Sequence, residues 1–366
     1  MIQHPAFPVE PWTVRETSLD LERLAQTESL FALANGHLGL RGNLDEGEPF
    51  GIPGTYLAGF YEERELPYAE AGYGYPEAGE TIVNVANGKI LRLLAQDEPF
   101  DIRYGTLIAH ERVLDLRAGV LRRSAEWASP TGRLIRVAST RLVAFTRRAI
   151  AAIHYEVEPL DGALPVVVQS ELVANEALPV ERDDPRVPSQ PVSPLRSQSF
   201  MSDEARAVLV HATGTSALMV GAAMAHAVHG PVGTDVSAES VDDLARVSIA
   251  ADVAPGTPLR LVKFLAYGWS SVRSVPAIRD QVAAALASAI HGGWEQLLSE
   301  QRAYLDRFWE RADVEVDGDG ELQQAVRFAL FHILQAGARG EQRPIAAKGL
   351  TGPGYNGHTF WDTETF

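Results

Sequence analysis

Short runs rich in Val, Ile and aromatic residues recur over roughly the first 270 residues, cut by Gly, Pro, Asp and Asn, with no helices between them. Such a chain has few options. Many short strands joined by turns bury one another's faces as a large antiparallel sandwich. One hairpin is legible outright: Val120 to Ala128 and Arg133 to Val143 flank Ser129-Pro130-Thr131-Gly132, a turn with Pro early and Gly late. Ile153, Tyr155 and Val157 then alternate with Ala152, His154 and Glu156, the period of a half-buried strand. Further strands are predicted at Val166 to Val168, Val208 to Val210, Leu218 to Val220, Val247 to Val253 and Leu259 to Tyr267. Two stretches interrupt them. Residues 65–80 carry Tyr68, Tyr73 and Tyr75 among glycines and acids, and residues 179–194 hold Pro179, Pro185, Pro188, Pro191 and Pro194. Either could line a ligand cleft; exposed irregular chain is the plainer reading.

The period changes near Ser270. Val275, Ile278, Val282 and Leu286 fall at helical spacing, with Pro276 in the first turn. Gly292-Gly293 interrupts, and Trp294, Leu297, Leu298, Gln301, Leu305, Phe308 and Trp309 then form one stripe, the plain buried face of a helix. A strand-like Val314-Glu315-Val316 ends at Asp317-Gly318-Asp319-Gly320, and a third helix is expected to bury Leu322, Val326, Leu330 and Ile333.

Composition removes several function classes. Of 366 residues, 46% are apolar and 22% charged, which is globular. Asp and Glu (48) outnumber Lys and Arg (32), a formal charge of −16, so neither nucleic acid nor an anionic membrane is an expected partner. Lysine occurs only at Lys89, Lys263 and Lys348, and this arginine bias points to a GC-rich bacterial gene. With no cysteine, disulfide scaffolds, thiolate metal sites and cysteine nucleophiles are excluded. Neither a secretory leader nor an apolar run of membrane-spanning length is visible, so the expected location is the cytoplasm. The 10 histidines show no metal-ligand spacing; His226 and His229 are read at a strand-to-loop junction, where that spacing does not align them.

The most distinctive segment is Lys348 to Phe366, KGLTGPGYNGHTFWDTETF, a Gly- and aromatic-rich loop leading to Phe360, Trp361 and Asp362. Carbohydrate sites use this combination: an indole covers the C–H face of a pyranose while a carboxylate accepts from neighbouring hydroxyls. The alternative is a helix-entry loop with a buried Trp. Gly352, Gly354 and Gly357 also satisfy G-x-G-x-x-G, but no strand precedes them and no βαβ unit encloses them, so the dinucleotide reading fails.

Together with that loop, Glu28 to Gly47 (ESLFALANGHLGLRGNLDEG), Gly54 to Tyr61 (GTYLAGFY), Leu114 to Leu121 (LDLRAGVL) and Glu321 to Phe328 (ELQQAVRF) resemble glycoside hydrolase family 65. That family holds the maltose, trehalose, kojibiose and nigerose phosphorylases and their acid trehalase relatives. The resemblance implies a mainly β N-terminal super-sandwich (residues 1–269), an α-helical linker (270–316) and the truncated start of an (α/α)6 catalytic barrel (317–366). It implies an inverting α-glucoside phosphorylase, in which a glutamic acid protonates the leaving oxygen while phosphate attacks from the opposite face. That acid and the phosphate loop are expected downstream of Phe366, so no catalytic residue is assigned here and this chain alone is expected to be inactive. Trp361 and Asp362 match positions that hold the −1 glucose; His358 and Phe360 belong to the same motif, and Glu364 is read as structural. The implied partners are an α-linked glucose disaccharide and inorganic phosphate, with no other cofactor and no metal, in a homodimer. One departure is Asn84-Val85-Ala86-Asn87-Gly88, where the family often has a Trp. Asn35-Gly36-His37 is read as a turn, with His37 structural. The rival readings are a hydrolase of the acid trehalase kind and a non-catalytic sugar-binding or assembly module.

Overall fold

The computed structural model describes residues 4–65, 78–176, 192–337 and 344–363. Most of the two interrupting stretches, and Glu364, fall outside these residues. Among the described residues, ten strands form one antiparallel sheet. In spatial order they are Val9–Glu10, Thr13–Glu16, Thr106–Asp115, Val120–Ala128, Leu134–Val143, Ile150–Pro159, Leu259–Ser270, Met219–His229, Arg206–Thr213 and Leu195–Asp203. A five-stranded sheet faces it, ordered Asp235–Val241, Leu244–Val253, Leu164–Val173, Leu91–Ala95 and Glu98–Pro99. Smaller sheets join Leu33–Ala34, Leu38–Leu40 and Thr55–Leu57, and Tyr61–Glu65 with Ala78–Ile82.

The legible hairpin closes as expected, Ala128 opposite Leu134, with Gly132 at φ 86° in the turn. Ile153, Tyr155 and Val157 enter the core between the sheets with Trp127, Leu261 and Val168, while His154 and Glu156 are half-buried. Ile150 and Ala152 break the alternation because a helix covers the outer face there. The sandwich is not free of helices: α1 (Leu24–Leu30) is a two-turn insertion that sequence period did not disclose.

The covering helix is α2 (Val275–Ala312), which buries Ile278, Val282, Leu286 and Ala289 and, beyond a kink, Leu297, Gln301, Leu305 and Trp309. The kink is at Gly293, whose φ of 74° breaks the helix where Gly292-Gly293 interrupts the period. Gln301 belongs to the stripe because its amide serves buried backbone. It accepts from the Phe145 N–H at 3.0 Å and donates to the Gly119 and Val143 carbonyls. Arg147 holds the helix from outside, with Nη2 at 2.8 Å and Nε at 2.9 Å from the Glu300 carboxylate. Bonding to Arg147 holds that carboxyl down at about 2 against an ordinary 4.5. A depressed carboxyl adds stability that is complete above pH 4.5 and is lost as pH falls towards 2. Glu300→Gln is therefore expected to lose about 0.5–1 kcal/mol at neutral pH, as half-exposed pairs do, and to match the parent near pH 2 in urea titrations. A difference independent of pH would contradict this.

Two expectations fail in the next segment. Val314-Glu315-Val316 is not a strand; its polar groups are taken by a side chain, Gln323, which accepts from the Val316 N–H at 2.7 Å and donates to the Val314 carbonyl at 2.9 Å. And α3 (Gly320–Gly337) buries Gln323, Arg327, Phe331 and Gln335, whereas Leu322 and Ile333 are 49% and 66% exposed and Val326 and Leu330 half-buried. The inward face is polar because it meets backbone and charge. Arg327 pairs with both Asp313 oxygens at 2.7 Å and lies 3.7 Å over the Trp12 ring. Gln335 accepts from the Ala34 N–H at 2.6 Å. Of the apolar residues of α3, Leu322 and Ile333 face outward, while Phe331 is buried in the core and Phe328, Leu330 and Leu334 pack against it.

Candidate functional site

The distinctive loop runs from α3 back across the end of the sandwich. Leu350 closes an apolar cluster with Ala34, Tyr56 and Ile82, against which Ala58 and Tyr61 pack. Arg41, almost fully buried, donates to the Thr351 carbonyl, to Ser29 Oγ at 2.8 Å and to the Ala25 and Ile52 carbonyls. Glu28 beside it, 3.5 Å away, accepts the Gly51 and Ile52 N–H groups. These residues belong to Glu28–Gly47 and its continuation, so that stretch is a socket for the loop.

Past Gly352 the backbone makes an unusual turn. Tyr355 and Asn356 both have φ of 55°, and Gly357 follows at 73°. For a non-glycine residue this left-handed region costs about 1–2 kcal/mol. A side chain could not replace Gly357, because a Cβ there would lie 2.7 Å from Ile82. The strand pair Tyr61–Glu65 and Ala78–Ile82 holds the turn: Tyr61 Oη donates to the Gly357 carbonyl at 2.8 Å, Thr81 Oγ1 reaches Asn356 Oδ1 at 3.5 Å, and His358 Nε2 bonds the Glu80 carbonyl at 2.7 Å. Since a carbonyl only accepts, Nε2 carries the proton. Burial, with Glu80 nearby, pushes the Tyr61 hydroxyl above its ordinary value.

The four sequence-predicted residues lie at or just after this turn, and their side chains take different surroundings. His358 is drawn aside to Glu80. Phe360, 45% exposed, meets the Tyr355 ring edge-on at 5.5 Å. Trp361 is 88% exposed and Asp362 half-buried beside it. A hollow of about 340 Å³ next to them is lined by Ala34, His332, Gln335, Lys348, Thr351 and Thr363, not by Trp361 or Asp362. His332 there is pushed down to about 4 by burial, so it is neutral at neutral pH. The arrangement presents an exposed aromatic face with a carboxylate on the adjoining residue, the pairing that a pyranose can use.

Asn35-Gly36-His37 makes the expected turn, its backbone caught by Asn35 Oδ1. His226 and His229 lie at the end of the strand Met219–His229, His229 being its last residue before the loop, and three residues apart in a strand they face opposite sides. His226 is pushed down to about 3 by burial and bonds Ser170 Oγ and the Ala205 carbonyl. Among the described residues no group of three or more His, Asp or Glu could hold a metal ion, and no helix is long and apolar enough to cross a membrane. Sequence reasoning missed Tyr61, Glu80 and Arg41; the only available signal was their placement in or near the quoted stretches.

The model described as "Glycosyl hydrolase family 65, N-terminal domain" matches residues 14–308, and that for the "Glycosyl hydrolase family 65 central catalytic domain" matches residues 327–366. An uncharacterized glycosyl hydrolase of Mycobacterium tuberculosis (strain ATCC 25618 / H37Rv) is 61% identical over 366 residues, 100% of this chain and 47% of the relative. An alpha,alpha-trehalose phosphorylase of Thermoanaerobacter brockii is 33% identical, over 99% of this chain and 47% of its own length. The solved structure of a putative kojibiose phosphorylase from human microbiome superimposes with a TM-score of 0.89 at 21% identity, over 99% of this chain and 46% of that one, a likeness of fold. The chain thus spans about half the length of the curated relatives it matches.

Proposed function

Because the chain belongs to glycosyl hydrolase family 65, we propose that it is the N-terminal part of an inverting α-glucoside phosphorylase. The observation that carries this is the 33% identity to a trehalose phosphorylase over 99% of the chain, beside the match of the family's central catalytic domain to residues 327–366, which include Trp361 and Asp362. In this reading residues 1–269 are the sandwich domain, 270–316 the linker and 317–366 the start of the catalytic barrel. Trp361 covers one face of the −1 glucose, Asp362 accepts from its hydroxyls, and Phe360 and His358 support them.

The reaction needs two further parts supplied outside this chain, a glutamic acid and a phosphate-binding loop. The acid's proton goes to the glycosidic oxygen as its bond to C1 breaks. A phosphate oxygen bonds C1 from the opposite face, giving β-glucose 1-phosphate and a free glucose. Phosphate is a co-substrate and no cofactor is required; the protein works in the cytoplasm as a homodimer. In this reading the acid lies downstream of Phe366, so the 366-residue chain by itself releases no product.

The test is an assay of the complete gene product with trehalose, maltose and kojibiose, with and without phosphate. Sugar release that requires phosphate and yields glucose 1-phosphate is the expected result. Phosphate-independent release would establish the acid trehalase kind of hydrolase instead. Silence with all three, combined with heat on glucose titration, would leave a binding module.

A further inference from the structure

We propose that Tyr61, together with the Glu80 carbonyl it flanks, is a positioning element for sugar binding: the strand pair of the sandwich aims Trp361 and Asp362 by holding a turn that would otherwise relax. The inference rests on the functional reading above and adds to it residues from a different domain.

Two consecutive L-residues, Tyr355 and Asn356, sit in the left-handed region ahead of Gly357. A free loop would leave that conformation, because each side chain is less crowded elsewhere. Within the turn, the His358 N–H to Tyr355 carbonyl bond of 3.0 Å is one closing contact. The side-chain bonds that fix the turn in space come from the sandwich: Tyr61 Oη to the Gly357 carbonyl, His358 Nε2 to the Glu80 carbonyl and Thr81 to Asn356. They act on residues three to five positions before Trp361, so a turn that relaxes swings the indole. On this geometry His358 is itself a positioning residue. Its Nε2 proton is committed to Glu80, and it serves the sugar by fixing the backbone, not by touching a hydroxyl. Strain held by outside bonds next to a binding residue is the usual mark of preorganisation.

The experiment compares Tyr61→Phe, His358→Leu and His358→Gln in the complete gene product, with Tyr56→Phe as control. Tyr61→Phe keeps its ring in the cluster of Leu350, Ala34 and Ile82 and loses one hydroxyl. Tyr56→Phe also loses a single hydroxyl in that cluster, one that donates to the Pro53 carbonyl. Two quantities are read: hydrogen exchange of amides 355–363, and KM against kcat for the disaccharide. Tyr61→Phe and His358→Leu are expected to speed exchange of the segment roughly 3- to 10-fold and raise KM by a similar factor, the loss of one hydrogen bond, with kcat changed less. His358→Gln, whose amide can reach the same carbonyl, stays within about twofold of the parent, as does Tyr56→Phe. Unchanged exchange in Tyr61→Phe, or faster exchange with an unchanged KM, overturns the proposal. So does a His358→Gln variant as impaired as His358→Leu, since that would make the imidazole a sugar contact. A parent protein that turns over no disaccharide sinks the functional reading itself, a separate outcome.

Discussion

Arg123→Met is expected to destabilise the sandwich by about 3–5 kcal/mol, the usual result of stripping one partner from a buried ion pair. Arg123, 6% exposed, places Nη1 and Nη2 at 2.5 and 2.8 Å from the two Glu46 oxygens, and its Nε donates to His110 Nε2 at 3.1 Å. Asp45 accepts from Arg141 at 2.7 Å and Ser139 at 2.6 Å, with Arg123 a further 3.4 Å away. Burial pushes the Glu46 carboxyl up, and Arg123 is what opposes it. At Asp45 burial acts the same way, but Arg141 and Arg123 together win and the carboxyl stays below its ordinary range. Removing Arg123 leaves Glu46 charged and dry or forces it to take a proton. Urea unfolding of the variant measures the loss, and Arg123→Met/Glu46→Gln should recover a large part, because the stranded charge is gone. A single variant within 1 kcal/mol of the parent would show that solvent reaches this cluster.

Trp361→Ala should behave in the opposite way, sparing stability and removing function. The indole is 88% exposed in this chain, so truncation is expected to change the chain's unfolding free energy by no more than about 0.5 kcal/mol. A stacked aromatic face that becomes covered by a sugar is worth about 1.5–3 kcal/mol, or roughly 10- to 150-fold in kcat/KM of the complete protein. Asp362→Asn should lose a comparable factor, since hydrogen bonds to a charged acceptor are worth about 1.5–3 kcal/mol. Kinetics unchanged by Trp361→Ala would make the indole a packing residue and end its assignment to the sugar. A drop in stability of the complete protein without a change in KM would say the same.

How much of this was legible depended on the range of the interaction. The turn at Ser129–Gly132 is set by its own residues, and the pairing of Ala128 with Leu134 follows. The stripe from Ile278 to Trp309 is a period, and the break at Gly293 is a backbone property of glycine. The face of α3 was misjudged for a physical reason. Its apolar stripe is real, but Leu322 and Ile333 point away from the sandwich, while Gln323, Arg327 and Gln335 turn inward to Val314–Val316, Asp313 and Ala34. Hydrophobic period reports that a helix has two faces; it does not report which neighbour lies on each. Two of the three lysines, Lys89 and Lys263, are fully buried on backbone carbonyls, and nothing local distinguishes them from surface lysines.

The candidate site divides in the same manner. The sequence by itself determined the loop Lys348 to Asp362, its aromatic and acidic chemistry, and through the quoted stretches the family; these reside in residue types and their order. Only the tertiary structure decided that His358 bonds the Glu80 carbonyl, that Tyr61 caps Gly357 from 296 positions away, and that Arg41 holds Thr351 across 310. The reason is that a side chain's type fixes what it can bond, while the partner is chosen by whichever backbone group the packed sheets bring within about 3 Å.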